Sequence, residues 1–275
     1  MSVPKISELL SLKGRVAVVT GAARGIGYCT AARFAEAGAS VLIGDRNADG
    51  AKQAAAELSK QYGAKVIGTE LDVRAVESVE ALADKALKDL GALDIWINNA
   101  GVFRGEPLVE TTDEDWTAMY DVNLRGVFFG SRAAAKRMIA GAGRPGRVIV
   151  NIASVAGVRG RVSLGAYSAA KAGVLGLTRS SSMELVKHGI RVLCVTPSMA
   201  ETPGVAEMRE AARSKDSDGD TVAAMEKTLR ASFPMGRAAE ADEVARVVFF
   251  CASDMAAFMT GSNVPGAGPG SRAPA

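Results

Sequence analysis

The stretch from Arg15 to Gly38, RVAVVTGAARGIGYCTAARFAEAG, decides the fold. Arg15 to Thr20 is a short apolar, β-branched run of strand type. The segment GAARGIG separates it from an alanine-rich run of helical type that Gly38 closes. The order is strand, glycine turn, helix. Working outward, the alternation continues through strand SVLIGD, helix ADGAKQAAAELSKQYG, strand AKVIGTELD, helix VESVEALADKALKDLG and strand LDIWINNAG. Each connection is helical and long enough for a right-handed crossover, so the strands are expected to be parallel, with helices on both faces of one sheet.

The second half keeps the rhythm, with a helix from about Asp113 to Ile139, strand RVIVNIAS, a helix from about Ala166 to Lys187 and strand IRVLCVT. Residues 198–237 break it, and helix ADEVARVVFFCAS and a weak strand near Ser262–Val264 follow. The expected architecture is α/β: one doubly wound domain over residues 12–265, after a leader at 1–11, with an irregular excursion at 198–237. The glycine- and proline-rich end PGAGPGSRAPA reads as unable to form a regular element, leaving 266–275 as a flexible tail.

Composition narrows the function classes. With 48% hydrophobic and 23% charged residues, the 275-residue chain can bury a large core and is not of disordered type. Its net charge of +3 comes with no basic block, which gives no reason to expect a nucleic-acid partner. Cys29, Cys194 and Cys251 are far apart and odd in number, reading as free thiols in a reducing compartment, without a metal or disulfide framework. The N-terminus lacks the apolar segment of a signal peptide, and no run approaches the roughly twenty apolar residues of a membrane span. A cytoplasmic protein without membrane partner or metal is expected.

In a doubly wound sheet, ligands sit beyond the carboxyl ends of the strands. Gly21, Gly25 and Gly27 follow the first strand there and open a helix; glycine permits a tight turn and close approach of a pyrophosphate to the helix N-terminus. Asp45, ending the second strand, can accept from both hydroxyls of an adenosine ribose and would repel a 2′-phosphate, favouring NAD over NADP. Arg24 and Arg46 are basic neighbours able to reach such a phosphate. Asp72 and Val73 can meet the adenine edge and face, although Asp72 can equally cap the helix beginning near Ala75. The NNAG of Asn98–Gly101 can tie neighbouring loops together and leave room for a nucleotide, or be only an Asx-type turn.

Hydride chemistry at an alcohol needs a proton acceptor, and a free phenol, with a pKa near about 10, is too weakly acidic for that near neutrality. Tyr167 and Lys171 stand at i and i+4 on one helical face, where the ammonium favours phenolate. Lys171 is also long enough to reach a nicotinamide ribose. Ser154, beyond its strand, can donate to a substrate oxygen, and Asn123 can hold a water against Lys171. Val155, Leu164, Met199, Met208, Met225, Phe233 and Met235 suggest a partly apolar pocket. Arg159 and Arg161 read as solvated, and Trp96 and Trp116 as packing residues. His188, ending a helix, suits a dipole contact better than catalysis.

Taken together, TGAARGIG (Thr20–Gly27), Asp72–Val73, NNAG (Asn98–Gly101), Asn123, Ser154, YSAAK (Tyr167–Lys171) and Pro197 resemble the classical short-chain dehydrogenase/reductase family over about residues 12–265. The resemblance implies a Rossmann-like fold with seven parallel strands, assembly as a homotetramer, and a catalytic set of Asn123, Ser154, Tyr167 and Lys171. It implies cofactor contacts from Gly21, Arg24, Gly25, Ile26, Gly27, Asp45, Arg46, Asp72, Val73, Asn99, Ala100, Gly101, Tyr167, Lys171, Pro197, Ser198 and Thr202. Substrate contacts are expected from Ser154, Val155, Leu164, Tyr167 and Met199, beneath a lid at 198–237. The chain departs from the family's pattern at Leu193, where Asn is usual, at Ser198, where Gly is usual, and in NVPGAGPG, which lacks the usual aspartate. None of these is a proton-transfer residue. The expected function is NAD-dependent interconversion of a secondary alcohol (polyol, cyclic alcohol or hydroxysteroid) with its ketone. The alternatives are an NADPH-dependent ketoreductase of an acyl or cyclic ketone and a non-catalytic nucleotide-binding protein.

Overall fold

A seven-stranded parallel sheet organises the computed structural model, which describes residues 3–141, 143–213 and 235–267. A short helix α1 (Ile6–Leu9) leads into β1 (Val16–Thr20), α2 (Gly25–Glu36), β2 (Ser40–Asp45), α3 (Ala48–Tyr62), β3 (Val66–Glu70), α4 (Val76–Leu90) and β4 (Ile95–Asn98). The chain continues through α5 (Asp113–Tyr120), α6 (Gly126–Ala140), β5 (Arg147–Ile152), α7 (Gly165–Leu185) and β6 (Ile190–Pro197). It ends with β7 (Ala200–Glu201), α8 (Pro203–Arg213), β8 (Ala239–Glu240), α9 (Ala241–Ala252) and β9 (Asn263–Ala267).

The strand order is β3-β2-β1-β4-β5-β6-β9, with every neighbouring pair parallel. The winding direction reverses between β1 and β4, which opens a crevice at their carboxyl ends. β1, β4 and β5 are buried at every residue, as central strands covered on both faces must be. On one face, Phe34 of α2, Leu58 of α3 and Val244 and Val248 of α9 pack against Val19, Ile43 and Ile97. On the other, Leu82 of α4 and Met138 of α6 pack against Val18, Leu42 and Trp96. The parallel α/β reading therefore holds, including the expected seven strands.

Four local readings need correction. The single helix expected over 113–139 is two α-helices joined by a π-helical turn, Asp121–Arg125, that carries Asn123. Within the expected excursion, residues 200–213 are regular: β7 pairs with β8, and α8 starts from Thr202 as N-cap with Pro203 in the first helical position. The intervening Met225 and Phe233 lie outside the described residues. The end of the chain is also more regular, because β9 runs through Pro265 to Ala267. There it pairs with β6 across a register shift at Thr196/Pro197. β9 is an edge strand, where a proline's missing N–H is tolerated. Trp96 is fully buried, whereas Trp116 is 46% exposed and stacks on Tyr120.

Among the described residues no helix is long and apolar enough to cross a membrane, and no cluster of His, Cys, Asp or Glu is arranged to hold a metal ion. Cys194 and Cys251 are buried and Cys29 half-buried, all three as free thiols.

Candidate active site

The carboxyl ends of β1, β4, β5 and β6 open into a cavity of about 580 Å³. Its walls include Arg24 and Ile26 of the glycine turn, Asn99 and Gly101 after β4, Asn123, Ser154 and Val155 after β5, Leu164, Tyr167 and Lys171, and Pro197 to Met199 with Thr202 after β6. The topology thus brings most of the sequence-selected residues to one crevice.

The glycine turn is built for close backbone contact. Gly21 has φ 65°, and a side chain there would come within 2.6 Å of the Ala100 Cα. A Cβ at Gly27 would lie 2.4 Å from the Gly21 carbonyl and 2.5 Å from Asn99 Nδ2. Asn99 in turn donates to the carbonyls of Thr20 (2.9 Å) and Gly21 (2.8 Å), while its own amide and that of Ala100 donate to Thr20 Oγ1. The loops after β1 and β4 are therefore tied together, as expected of NNAG. α2 begins without a side-chain cap, which leaves its first-turn amides open to an anion.

Asp45 ends β2 half-buried, with Oδ2 accepting from the Ala23 amide (3.0 Å) and Oδ1 from the Asn47 amide (2.9 Å). These bonds fix the carboxylate beside the glycine turn and leave lone pairs for further donors. Arg24 points away from this position and pairs with Glu207 of α8, so Arg46 stands as its exposed basic neighbour. Asp72 does not cap α4. It accepts from the Arg74 amide and pairs with the Arg74 guanidinium, which holds its carboxyl below the usual range. Val73 is nearly buried against Gly126.

Ser154 caps a short 3₁₀ turn, its Oγ accepting from the Ala156 amide (3.2 Å), and lines the cavity together with Tyr167. Phe103 meets the Tyr167 ring edge-on at 5.0 Å between centroids. Lys171 is buried; its Nζ donates to the Ile152 carbonyl (2.9 Å) and lies 5.8 Å from the Tyr167 ring centre. Burial lowers the Lys171 ammonium to about 8 and raises the Tyr167 phenol above its usual value, with the Ser154 hydroxyl opposing the latter. Burial, not the ammonium, therefore dominates the phenol, contrary to the expectation from spacing alone.

Asn123 uses its side chain differently from expectation. Oδ1 accepts from the Val102 amide (3.2 Å), and Nδ2 donates to the carbonyls of Val102 (2.9 Å) and Met119 (3.1 Å). It fastens the loop after β4 to the π-helical turn. Thr202 Oγ1 accepts from the Val205 amide, and Met199 receives a contact from Arg209 to its sulfur. Met235 is 71% exposed and outside the cavity wall.

Three features escaped the sequence reading. Phe103 and Arg161 line the cavity. Behind them runs a buried polar chain in which Trp96 Nε1 donates to Asn98 Oδ1, Asn98 Nδ2 to Asn151 Oδ1, and Asn151 Nδ2 to Thr178 Oγ1, all within 2.9 Å. It ties β4 and β5 to α7, the helix carrying Tyr167 and Lys171. A polar residue inside an apolar strand, as at Asn151, was the available signal, since a buried amide needs partners.

Fold and cavity define a nucleotide-binding oxidoreductase of Rossmann-like architecture. The chain belongs to the short-chain dehydrogenase family, whose model matches residues 15–213. It is 40% identical over 250 residues to cis-4-hydroxycyclohexanecarboxylate dehydrogenase of Sinomonas cyclohexanicum, covering 90% of this chain and 93% of that protein. It is 36% identical over 252 residues to a 3-oxoacyl-(acyl-carrier-protein) reductase of Thermotoga maritima, covering 92% and 96%. The solved structure of levodione reductase superposes with a TM-score of 0.83 at 33% identity, covering 92% of this chain and 96% of that one. The chain is accordingly an NAD(P)-dependent oxidoreductase acting between CH–OH and C=O groups.

Proposed function

We propose that the chain is an NAD-dependent dehydrogenase of secondary alcohols, foremost cyclic ones, with Ser154, Tyr167 and Lys171 as its catalytic residues and Asn123 as a positioning residue. The observation carrying this reading is the convergence of Ser154, Tyr167 and Lys171 with the glycine turn in one cavity. The residues fit a dinucleotide, because Gly21 and Gly27 let the loops after β1 and β4 close tightly beside the start of α2 and the α2 amides carry no side-chain cap. Gly21, Gly25, Ile26 and Gly27 would hold the pyrophosphate side and Asp45 the adenosine ribose. Asp72 and Val73 would meet the adenine, and Asn99, Ala100, Gly101, Pro197, Ser198 and Thr202 the nicotinamide side. When bound, the cofactor supplies the hydride acceptor.

Ser154 and Tyr167 hold the substrate oxygen, and Tyr167 takes its proton or returns it in reduction. The Lys171 charge stabilises the phenolate as it forms. Val155, Leu164 and Met199 bound the substrate. A second reading, an NADPH-dependent ketoreductase, draws on exposed Arg46 beside Asp45 and on a phenol that burial keeps protonated.

The test is kcat/KM with NAD(H) and NADP(H) over polyols, cyclic alcohols, hydroxysteroids and their ketones. NAD preference is expected, and a strong NADPH preference overturns the cofactor assignment. Tyr167→Phe is expected to reduce turnover by about 10²–10⁴-fold, and an unchanged rate would remove Tyr167 from the mechanism.

A further inference from the structure

The charged side chains of the cavity wall are Arg24, Glu207, Lys171 and Arg161. Arg24 and Glu207 neutralise each other, and Lys171 is engaged by the Ile152 carbonyl. Arg161, half-buried, has no ion-pair or side-chain hydrogen-bond partner among the described residues. A guanidinium on a cavity wall with no acceptor among the described residues can receive an anion.

The turn carrying Arg161 is firmly shaped. The Leu164 amide donates to the Arg161 carbonyl (3.3 Å), Leu164 bridges to Glu106, and Ser163 stands at φ 58°. A left-handed serine is uncommon, and such backbone strain gathers at functional sites. The turn sits between Ser154 and Tyr167 in the chain, on the substrate side of the cavity. Asp45 lies at the end of β2, three strand spacings from β5, or about 14 Å away at the usual separation. Arg161 is therefore carried on the loop of a different strand from the proposed ribose position.

We propose that Arg161 binds a carboxylate on the substrate, so that the enzyme acts on small hydroxy or oxo acids whose acid group lies apart from the reacting carbon. The proposal rests on the dehydrogenase reading above only for the chemistry at that carbon. One planar guanidinium matches one carboxylate through paired N–H···O bonds. A phosphate dianion would leave charge unmatched, because no other uncommitted cation lines this wall among the described residues.

Two measurements separate this proposal from the reading beneath it. The first compares kcat/KM for isomeric hydroxycyclohexanecarboxylates with their carboxamides. The acid is expected to be favoured about tenfold to a hundredfold, with the ratio falling toward one in Arg161→Met and partly restored in Arg161→Lys. The second is calorimetric binding of cyclohexanecarboxylate and cyclohexanecarboxamide to the NADH-loaded protein, in the wild type, Arg161→Met and Arg161→Gln. Acid-selective binding lost in both variants, without turnover of any alcohol, would uphold the anion site and overturn the dehydrogenase reading. Equal handling of acid and amide, no binding of the acid, or selectivity that survives removal of the guanidinium would overturn the proposal.

Discussion

Lys171 shows at the residue scale what the site demands of the fold. An ammonium that is almost fully buried is held at about 8 by desolvation, far below the usual lysine value near 10.5. The unfolded chain thus binds more protons than the folded one between these two values, and stability rises with pH across that interval. Below pH 8 the full burial penalty is present. Lys171→Met removes the charge but leaves the Ile152 carbonyl without its donor, so the two effects partly cancel. The variant is expected to be more stable than the wild type by about 1–2 kcal/mol at pH 7, with the gain gone by pH 10.5 and turnover strongly reduced. Urea unfolding at both pH values checks it, and a destabilised variant at pH 7 would contradict the origin given to the shift. The raised Tyr167 phenol sets a second dependence: alcohol oxidation should climb as pH rises from neutrality, since its base form then accumulates.

At the scale of elements, the glycine turn and α7 use glycine for opposite reasons. A methyl group at Gly27 would penetrate the Gly21 carbonyl and the Asn99 amide, whereas one at Gly176, exposed in α7, meets nothing within 4 Å. Gly27→Ala is therefore expected to destabilise the fold by about 2–4 kcal/mol and weaken NADH binding. Gly176→Ala should stabilise it by about 0.5–1 kcal/mol; thermal denaturation and NADH titration separate the two. The Gly27 requirement was legible because strand, turn and helix signals surround it within a few residues. The π-helical turn at Asn123 was not, because α5 and α6 share one helical pattern, and the insertion shows only in which backbone the Asn123 amide reaches. β9 was hidden by its proline and glycine, whose penalty falls away at a sheet edge where β6 supplies the register. The place of Arg161 on the cavity wall was not legible because a loop's path back across a cavity leaves no periodic trace.

At the scale of the whole molecule, one group of exposed apolar residues lies on two successive helices. Trp116, Tyr120, Phe128 and Ile139 are between 38% and 46% exposed and belong to the α5–α6 pair, where Arg125 and Arg132 also lie over the Phe129 ring. Spacings of four within α5, and of four and seven from Phe128 through Arg132 to Ile139 in α6, gather side chains on one side of each helix. Large aromatic surface beside arginine is the composition of an interface core. The homotetramer that the family resemblance implies would cover this face with a second copy. Light scattering is expected to give a mass of several 28.4 kDa chains, and Phe128→Asp to reduce it. That face lies on helices flanking the sheet, and the cavity opens at the strand ends, so dissociation should lower thermal stability more than NADH affinity. A wild-type protein of single-chain mass, or a Phe128→Asp variant of unchanged mass, would remove this face from assembly.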